Sequence, residues 1–183
     1  MTRGSMGRRP LVGVMGAGAD APDDCLQLAE ALGAAITQRG WALLTGGRPV
    51  GVMAAASRGA RQVDGHLVVG VLPAAGLEGE RHDTADLDLA LFTGIGQARN
   101  VINVLSADVV VVCGAGGAGT ASEAAHAIKA ERPLILLAVG PLWQQFFCSL
   151  NSDVVRVESV ADCCERIAVC LAGARLATMG DSY

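Results

Sequence analysis

The sequence predicts an α/β fold of the Rossmann-like type, with a doubly wound, mainly parallel sheet and helices on both faces. Two observations lead to this prediction. Short, almost wholly apolar runs alternate with longer segments of helical periodicity, which is typical of strands joined by crossover helices. Three of the apolar runs end in glycine-rich turns, at 16–18, 46–51 and 114–119. In a doubly wound sheet such turns lie at the carboxyl ends of the strands, where ligands bind.

In the first half of the chain, the pattern predicts strands at 11–15, 41–45 and 66–72, with helices at 22–39 and ending at 61. Pro22 suits the first turn of a helix, because a proline there gives up no helical hydrogen bond. Gly40 is a typical residue just past a helix C-terminus. The strand at 66–72 is apolar after its first residue, as expected for a strand covered on both faces.

The second half begins with a polar stretch, 73–88, which we expect to be a mobile surface loop. Beyond it, the pattern predicts strands at 89–93, 108–113, 134–138 and 154–157, and helices at 94–106, 120–130, 141–150 and 160–171. The strand at 108–113 contains four consecutive valines and is expected to be the most deeply buried. No linker or repeat is visible, so we expect one domain over residues 8–172, with flexible termini at 1–7 and 173–183.

Composition limits the classes of partner. The chain has 183 residues, of which 51% are hydrophobic and 17% charged, whereas soluble proteins have about 25% charged residues. This shortage of polar cover predicts that apolar surface is buried between subunits of a homo-oligomer. The net charge of −4 argues against a broad surface for nucleic acid or anionic membrane. A few local arginines can still bind an anionic small molecule.

The cysteines and the apolar runs indicate the cellular compartment in which the protein is expected. Six cysteines without CxxC spacing indicate reduced thiols and a cytoplasmic location rather than disulfides or a zinc site. The histidines His66 and His82 lack metal-ligand spacing as well, so no metal site is predicted. The longest apolar stretch, 133–143, is shorter than the ~20 residues that a membrane-spanning helix needs, so no membrane span is predicted.

The glycine-rich turns form the main candidate binding site. Glycine lets the backbone approach a ligand closely, and exposed N–H groups at a helix start attract phosphate. The first turn lacks the third glycine of a dinucleotide-binding fingerprint, and the chain contains no GxxxxGK[ST] loop. The predicted ligand-binding residues are Gly16, Gly18, Gly46, Gly47, Arg48, Gly51, Arg99, Gly116, Gly117, Gly119, Thr120 and Glu123.

The most specific signal is the stretch 116–123, which fits the pattern GGxGTxxE. Its glycines and the Thr120 hydroxyl can hold a phosphate at a helix N-terminus, and Glu123 follows one turn later. Arg99 on the preceding helix suits a bidentate contact with phosphate or carboxylate. Other interpretations of these residues stay open. Glu123 can simply be a negative charge that the helix dipole favours near a helix N-terminus. Arg99 can lie on a solvated helix face, and Arg48 can be a surface turn residue.

The motif with its upstream Arg99 resembles the family once described as lysine decarboxylases and now known as cytokinin-activating phosphoribohydrolases. That family has Pro before the glycine pair, Lys after the arginine and Met three positions before it. This chain has Ala115, Asn100 and Gly96 at those positions. The resemblance implies, as an alternative, a nucleoside 5′-monophosphate phosphoribohydrolase with Arg99 and Glu123 as its catalytic residues.

A wider match is to another branch of the same superfamily, the molybdenum-cofactor carrier proteins of green algae. It is carried by the stretches 12–16, 40–48, 51–53, 93–99, 102–103, 119–123 and 129–133. The resemblance implies a homotetramer that binds molybdopterin without catalysis, protects it, and delivers it to molybdoenzymes such as nitrate reductase. The glycine turns with Arg48 and Arg99 would then bind the cofactor. A module that binds a nucleotide without turnover is a third hypothesis.

Overall fold

The computed structural model describes residues 8–75 and 84–180, with side chains described up to Gly173. Its strands are β1 (Leu11–Gly16), β2 (Ala42–Thr45), β3 (Val68–Leu72), β4 (Leu89–Phe92), β5 (Val109–Cys113), β6 (Leu134–Leu137) and β7 (Val155–Val157). Its helices are α1 (Asp23–Gln38), α2 (Gly51–Arg61), α3 (Arg99–Ser106), α4 (Ala118–Lys129), α5 (Pro141–Leu150) and α6 (Val160–Gly180). A single 3₁₀ turn, Gly96–Ala98, leads into α3.

The described strands form one sheet of seven, in the order β4-β3-β2-β1-β5-β6-β7, and every pair in it is parallel. β1 is the central strand, with Val12 in register with Leu43 of β2 on one side and Val109 of β5 on the other. Parallel neighbours require crossover connections, which the helices supply. The predicted doubly wound, Rossmann-like α/β fold is therefore confirmed.

Two hydrophobic layers cover the sheet, one on each face. β5 shows the division, because its side chains alternate between the faces: Val109 and Val111 pack with α1, α2 and α6, whereas Val110 and Val112 pack with α3, α4 and α5. All five residues of β5 are fully buried. Valine suits this position, since its β-branched side chain packs well on a pleated surface covered by helices.

Two glycines let α1 and α2 pack in backbone contact. A β-carbon on Gly33 of α1 would collide with the carbonyl of Ala56 in α2. A β-carbon on Gly59 of α2 would collide in turn with the carbonyl of Glu30 in α1. At the start of α2, Val52 N–H donates a hydrogen bond to the carbonyl of Ala17 in the turn after β1.

The largest differences from the sequence-based boundaries are at two helices, since the other elements begin and end within two residues of their predicted bounds. The helix expected at 94–106 begins as a 3₁₀ turn and becomes α-helical only at Arg99, because Gly94 and Gly96 have φ of 68° and 58°. Helix α6 continues past the expected end at Leu171 to Gly180.

Two predicted segments fall partly outside the part of the chain that the structure describes. Of the expected loop at 73–88, residues 76–83 lie outside it. Of the expected flexible termini, residues 1–7 and 181–183 lie outside it as well. Among the helices of the described ranges, none has the length and apolar character that crossing a bilayer requires.

Candidate functional site

A cleft of about 210 Å³ opens where the strand order reverses, at the carboxyl ends of β1 and β5. From β1 the chain proceeds outward through β2, β3 and β4, and it then returns to place β5 on the other side of β1. The loops after β1 and β5 therefore lead away from each other, which leaves a crevice between them. This is the position at which the glycine turns predicted a ligand.

Most of the predicted residues meet in this cleft. It is lined by Met15, Gly16, Gly18, Asp20, Arg48, Met53, Gln97, Arg99, Asn100, Gly117, Gly119, Thr120 and Glu123. Four predicted glycines, Gly46, Gly47, Gly51 and Gly116, do not line it. Sequence reasoning missed Met15, Asp20, Met53, Gln97 and Asn100 as lining residues, because none of them belongs to a glycine turn or to the GGxGTxxE pattern.

Two of the four glycines outside the lining shape the cleft from behind. A β-carbon on Gly46 would lie 2.7 Å from both Nη1 and Nη2 of Arg99, so the absence of a side chain there makes room for the guanidinium. Gly51 has φ of +59°, and a β-carbon on it would collide with the carbonyls of Ala17 and Gly18. The second glycine turn thus supports the first and positions Arg99.

The turn after β5 is tied directly to the end of β1. The Thr120 hydroxyl donates a hydrogen bond to the Gly16 carbonyl over 2.9 Å, so its proton is used within the protein rather than left for a ligand. The backbone bonds of α4 begin with Ala121 N–H donating to the Gly117 carbonyl. The N–H groups of Ala118, Gly119 and Thr120 lie ahead of the first of these helical bonds, so they can donate hydrogen bonds to an anion.

A buried ion pair forms the base of the cleft. Arg99 Nη1 lies 3.4 Å from Glu123 Oε1, and the side chains of both residues are almost fully buried. Asn103 Nδ2 donates to the same carboxylate oxygen over 2.8 Å. Two buried polar atoms here, Arg99 Nε and Asn103 Oδ1, have no hydrogen-bond partner among the residues that the structure describes. The ion pair fixes the orientation of the Arg99 guanidinium, and Arg99 Nε can still donate a hydrogen bond.

Burial opposes charge on both members of this pair. The pKa of Glu123 is raised, chiefly because burial disfavours the carboxylate, although Asn103 and Arg99 act in the opposite direction. The pKa of Arg99 is lowered, first by burial and then by the nearby charge of Arg48, although Glu123 opposes the shift. Two arginines thus face the same small space, an arrangement that an anionic ligand would relieve.

The remaining charges at the cleft mouth have opposite signs. Arg48 is exposed and forms no ion pair with any residue of the described ranges, which leaves its guanidinium open to a ligand. Asp20 is also exposed and lines the cleft. An anion is therefore favoured on the side of Arg48 and Arg99, and a hydrogen-bond donor on the side of Asp20.

Asn100 holds the two helices of the site together. This residue replaces the lysine of the phosphoribohydrolase pattern, and its Nδ2 donates to Ser122 Oγ at 3.0 Å and lies 3.4 Å from the Gly119 carbonyl. The substitution removes a charge from the cleft and adds a brace between α3 and α4. The sequence shows the exchange but not this use of it.

The other chemistry-bearing residues form no second centre. Within residues 8–75 and 84–180, no group of three His, Cys, Asp or Glu side chains could hold a metal ion. All six cysteines are free thiols, and Cys113 at the end of β5 is fully buried. The cleft is therefore built from arginines, backbone N–H groups and one buried carboxylate, which suit binding of an anion.

Comparison with known proteins identifies the family of this chain. A family model described as the SLOG cluster4 family matches residues 9–164. The chain belongs to the SLOG cluster4 family. The matched range contains every residue that lines the cleft, so the site lies wholly within the part that this SLOG cluster4 chain shares with the family.

Three relatives of this SLOG cluster4 chain are informative. The molybdenum cofactor binding protein of the phototrophic bacterium Rippkaea orientalis is 43% identical, with a TM-score of 0.82 over 90% of this chain and 98% of that one. The molybdenum cofactor carrier protein of Chlamydomonas reinhardtii is 41% identical, with a TM-score of 0.82 over 90% and 99%. An uncharacterised protein of Archaeoglobus fulgidus is 41% identical over 118 residues, 64% of this chain and 73% of that one. The predicted resemblance to molybdenum-cofactor carriers is confirmed.

Proposed function

We propose that this protein binds molybdenum cofactor in the cleft at the ends of β1 and β5 and carries it as a ligand. The observation that carries this proposal is the convergence of Arg48, Arg99 and the first turn of α4 on one cleft. It occurs in a chain that is 41–43% identical, over most of its length, to proteins that bind or carry this cofactor.

The chemistry of the ligand matches the cleft. Molybdenum cofactor is a pterin that carries a metal-binding dithiolene and a phosphate, and these two groups, rather than the pterin ring, make it strongly anionic. The N–H groups at the start of α4 suit the phosphate, and guanidinium groups suit the oxo-metal end. The proposed binding residues are those predicted from the sequence, with Gly46 and Gly51 supporting the cleft from outside its lining.

We further propose that the protein works in the cytoplasm as a homotetramer and delivers the cofactor to a molybdoenzyme such as nitrate reductase. Free thiols suit a reducing compartment. Large apolar side chains on the surface outside the cleft, among them Ile95, Leu105 and Val169, suit burial between subunits. Protection of the cofactor follows if the cleft excludes oxygen and water from it.

A second candidate function is hydrolysis of nucleoside 5′-monophosphates. The observation that favours it is the retained pair of Arg99 with a buried Glu123 whose pKa is raised, since a general acid needs such a carboxyl. Against it, one oxygen of Glu123 is already held by Asn103 and Arg99. A nucleotide-sensing module without turnover would use the same cleft.

Two parallel incubations of the purified protein distinguish these functions. One sample receives molybdenum cofactor and is assayed, after hours in air, for reconstitution of an apo-molybdoenzyme. The other receives nucleoside monophosphates and is assayed for free base. Preserved cofactor without free base supports the carrier. Release of base that Glu123→Gln abolishes makes the protein a hydrolase, and nucleotide binding without either result indicates a sensor.

Arg48→Gln tests the cleft within this assay. Because Arg48 is exposed and makes no ion pair with a described residue, the variant should fold with unchanged thermal stability. It should retain cofactor about tenfold less well, since a charge-assisted hydrogen bond contributes about 1.5–3 kcal/mol. Arg156→Gln, an exposed arginine on β7 outside the cleft, is the matched control. Equal retention by the two variants would exclude Arg48 from the site.

A further inference from the structure

A second cavity, of about 420 Å³, adjoins the cleft on the side of α5. Gly117 lines both cavities, so they meet at the glycine turn after β5. Apart from Gly116 and Gly117 of that turn, the lining residues come from two helices: Ala118 and Ala121 from the start of α4, and Leu142, Trp143, Phe146 and Phe147 from α5. We call this second cavity the aromatic groove.

Aromatic side chains are scarce in this protein, yet they are concentrated here. The whole chain has two Trp, one Tyr and three Phe, and half of these six residues line the aromatic groove. Trp143 and Phe146 both pack on Phe147, with ring centroids 5.3 Å and 5.0 Å away. Because Phe147 is itself buried, it fixes the other two rings before any ligand arrives.

The aromatic groove and the cleft are chemically complementary. The described residues that line the aromatic groove carry no charge, whereas the cleft contains Arg48, Arg99 and Glu123. The aromatic groove therefore offers nothing to an anionic group but provides stacking faces for a flat ring. Phe146, with 54% of its surface exposed, leaves a ring face open on the solvent side.

The ridge between the two cavities is bare backbone. A β-carbon built on Gly117 would have no atom within 4 Å, so the space above this residue is open. A ligand can thus pass over Gly117 with one end in the cleft and another part in the aromatic groove. A flat heterocycle that carries a phosphate has this combination of properties.

We propose that the aromatic groove binds the pterin ring of the ligand whose anionic groups occupy the cleft. This inference rests on the proposed function, because it takes the ligand of the cleft to be a pterin. It adds a ring-binding subsite formed by Trp143 and Phe146 that the glycine and arginine motifs do not reveal. Stacking there shields the ring and supplies affinity that does not depend on charge.

The test uses a full-length Trp41→Phe variant, in which Trp143 is the single tryptophan. The probes are 6-hydroxymethylpterin monophosphate, the same pterin without phosphate, and inorganic phosphate. We expect the phosphorylated pterin to quench the Trp143 fluorescence and inorganic phosphate to leave it unchanged. Phe146→Ala should weaken the binding of the phosphorylated pterin about tenfold, as expected for loss of one stacking partner.

Leu150→Ala is the matched control, because Leu150 is a similarly exposed apolar residue of α5 that does not line the aromatic groove. Equal pterin affinities in Phe146→Ala and Leu150→Ala would overturn the proposal. If Phe146→Ala also lowers the oligomer mass in sedimentation while pterin affinity is kept, this surface is an interface between copies and the proposal fails.

The failure of this inference can be told apart from failure of the proposed function. If the wild-type protein protects molybdenum cofactor but Phe146→Ala protects it equally well, the carrier function stands and the ring subsite does not. If the wild-type protein binds the phosphorylated pterin through Phe146 but fails to protect the cofactor, the subsite stands and the carrier function does not.

Discussion

The carboxylate of Glu123 and the guanidinium of Arg99 lie at the base of the cleft with only 6% and 4% of their surfaces exposed. Burial raises the pKa of the first and lowers the pKa of the second, so neither is charged there without cost. Their mutual attraction and the Asn103 bond offset only part of this. A buried ion pair of this kind contributes more to binding a ligand than to the stability of the fold.

A pH series on Glu123→Gln tests that cost. Because the pKa of Glu123 is raised in the folded protein, folding is favoured while the carboxyl is protonated, and this advantage is lost as pH rises through the raised pKa. The free energy of unfolding of Glu123→Gln, minus that of the wild type, should therefore increase as the pH rises above about 4.5. Urea unfolding at each pH measures it, and a difference independent of pH would contradict the argument.

Gly46→Ala tests the space that Arg99 occupies. The added methyl group would lie 2.7 Å from both terminal nitrogens of Arg99 and from the sulfur of Met53, so the guanidinium must move. We expect a loss of roughly 1–3 kcal/mol in unfolding free energy, as is usual for overpacking. Binding of the proposed ligand should weaken about tenfold, which corresponds to one displaced contact.

Gly173→Ala is the control for Gly46→Ala, because a β-carbon at Gly173 meets no atom within 4 Å. Alanine there should keep ligand binding and slightly stabilise α6. Unfolding curves and ligand titrations of the two variants decide the matter. If Gly46→Ala binds like Gly173→Ala, then Arg99 has other room to move.

At the level of elements, the cleft depends on how the turn after β5 is fastened to β1. Thr120, in the first turn of the α4 helix that follows this turn, donates a hydrogen bond from its hydroxyl to the Gly16 carbonyl and so links α4 to the end of β1. Asn100 adds a second fastening between α3 and α4. The binding surface is therefore formed by elements that hold one another, rather than by a free loop.

Thr120→Val removes that link while keeping the shape of the side chain. It should lower the free energy of unfolding by about 1 kcal/mol, the usual net contribution of one hydrogen bond. Thr120→Ser keeps the hydroxyl and should keep most of this contribution. Denaturant unfolding compares the two, and a loss in Thr120→Ser as large as or larger than the loss in Thr120→Val would contradict the prediction.

The order and type of the elements could be predicted from the sequence, because apolar runs and glycines mark where strands and helices end. The start of α3 could not, since Gly94 and Gly96 were compatible with a helix until their positive φ values were known. The far end of α6 was also missed, because small and polar residues after Leu171 do not mark a helix by periodicity.

The site was predictable where a motif named it. Arg48, Arg99 and Glu123 do meet in the cleft, as their patterns indicated. Gln97 was missed because only the folded chain brings it near the glycine turns, and Asp20, two residues after the first turn, was missed because no motif includes it. Gly46 and Gly51 were expected to touch the ligand, but the structure uses them to make room for Arg99 and to seat the first turn.

For the molecule as a whole, the surface predicts self-association. Apolar side chains outside the cleft and the aromatic groove are exposed on several elements: Ile95 before α3 is 49% exposed, Leu105 of α3 is 51% exposed and Val169 of α6 is 63% exposed. If the proposed tetramer forms, sedimentation equilibrium should give a mass of about four times the 18.6 kDa of one chain. A single species of 18.6 kDa at micromolar concentration would exclude the tetramer.

The position of β1 between β2 and β5 also determines when the cleft can form during synthesis of the chain. Its lining comes from four stretches of the chain, 15–20, 48–53, 97–100 and 117–123. When β1 to β4 have emerged from the ribosome, only part of this lining has been synthesised, and one edge of β1 still lacks its partner strand β5. The cleft is complete only when α4 emerges. The proposed ligand can therefore enter a complete cleft only late in translation or after it, and a polypeptide that stops before residue 117 lacks one of the four stretches that line the cleft.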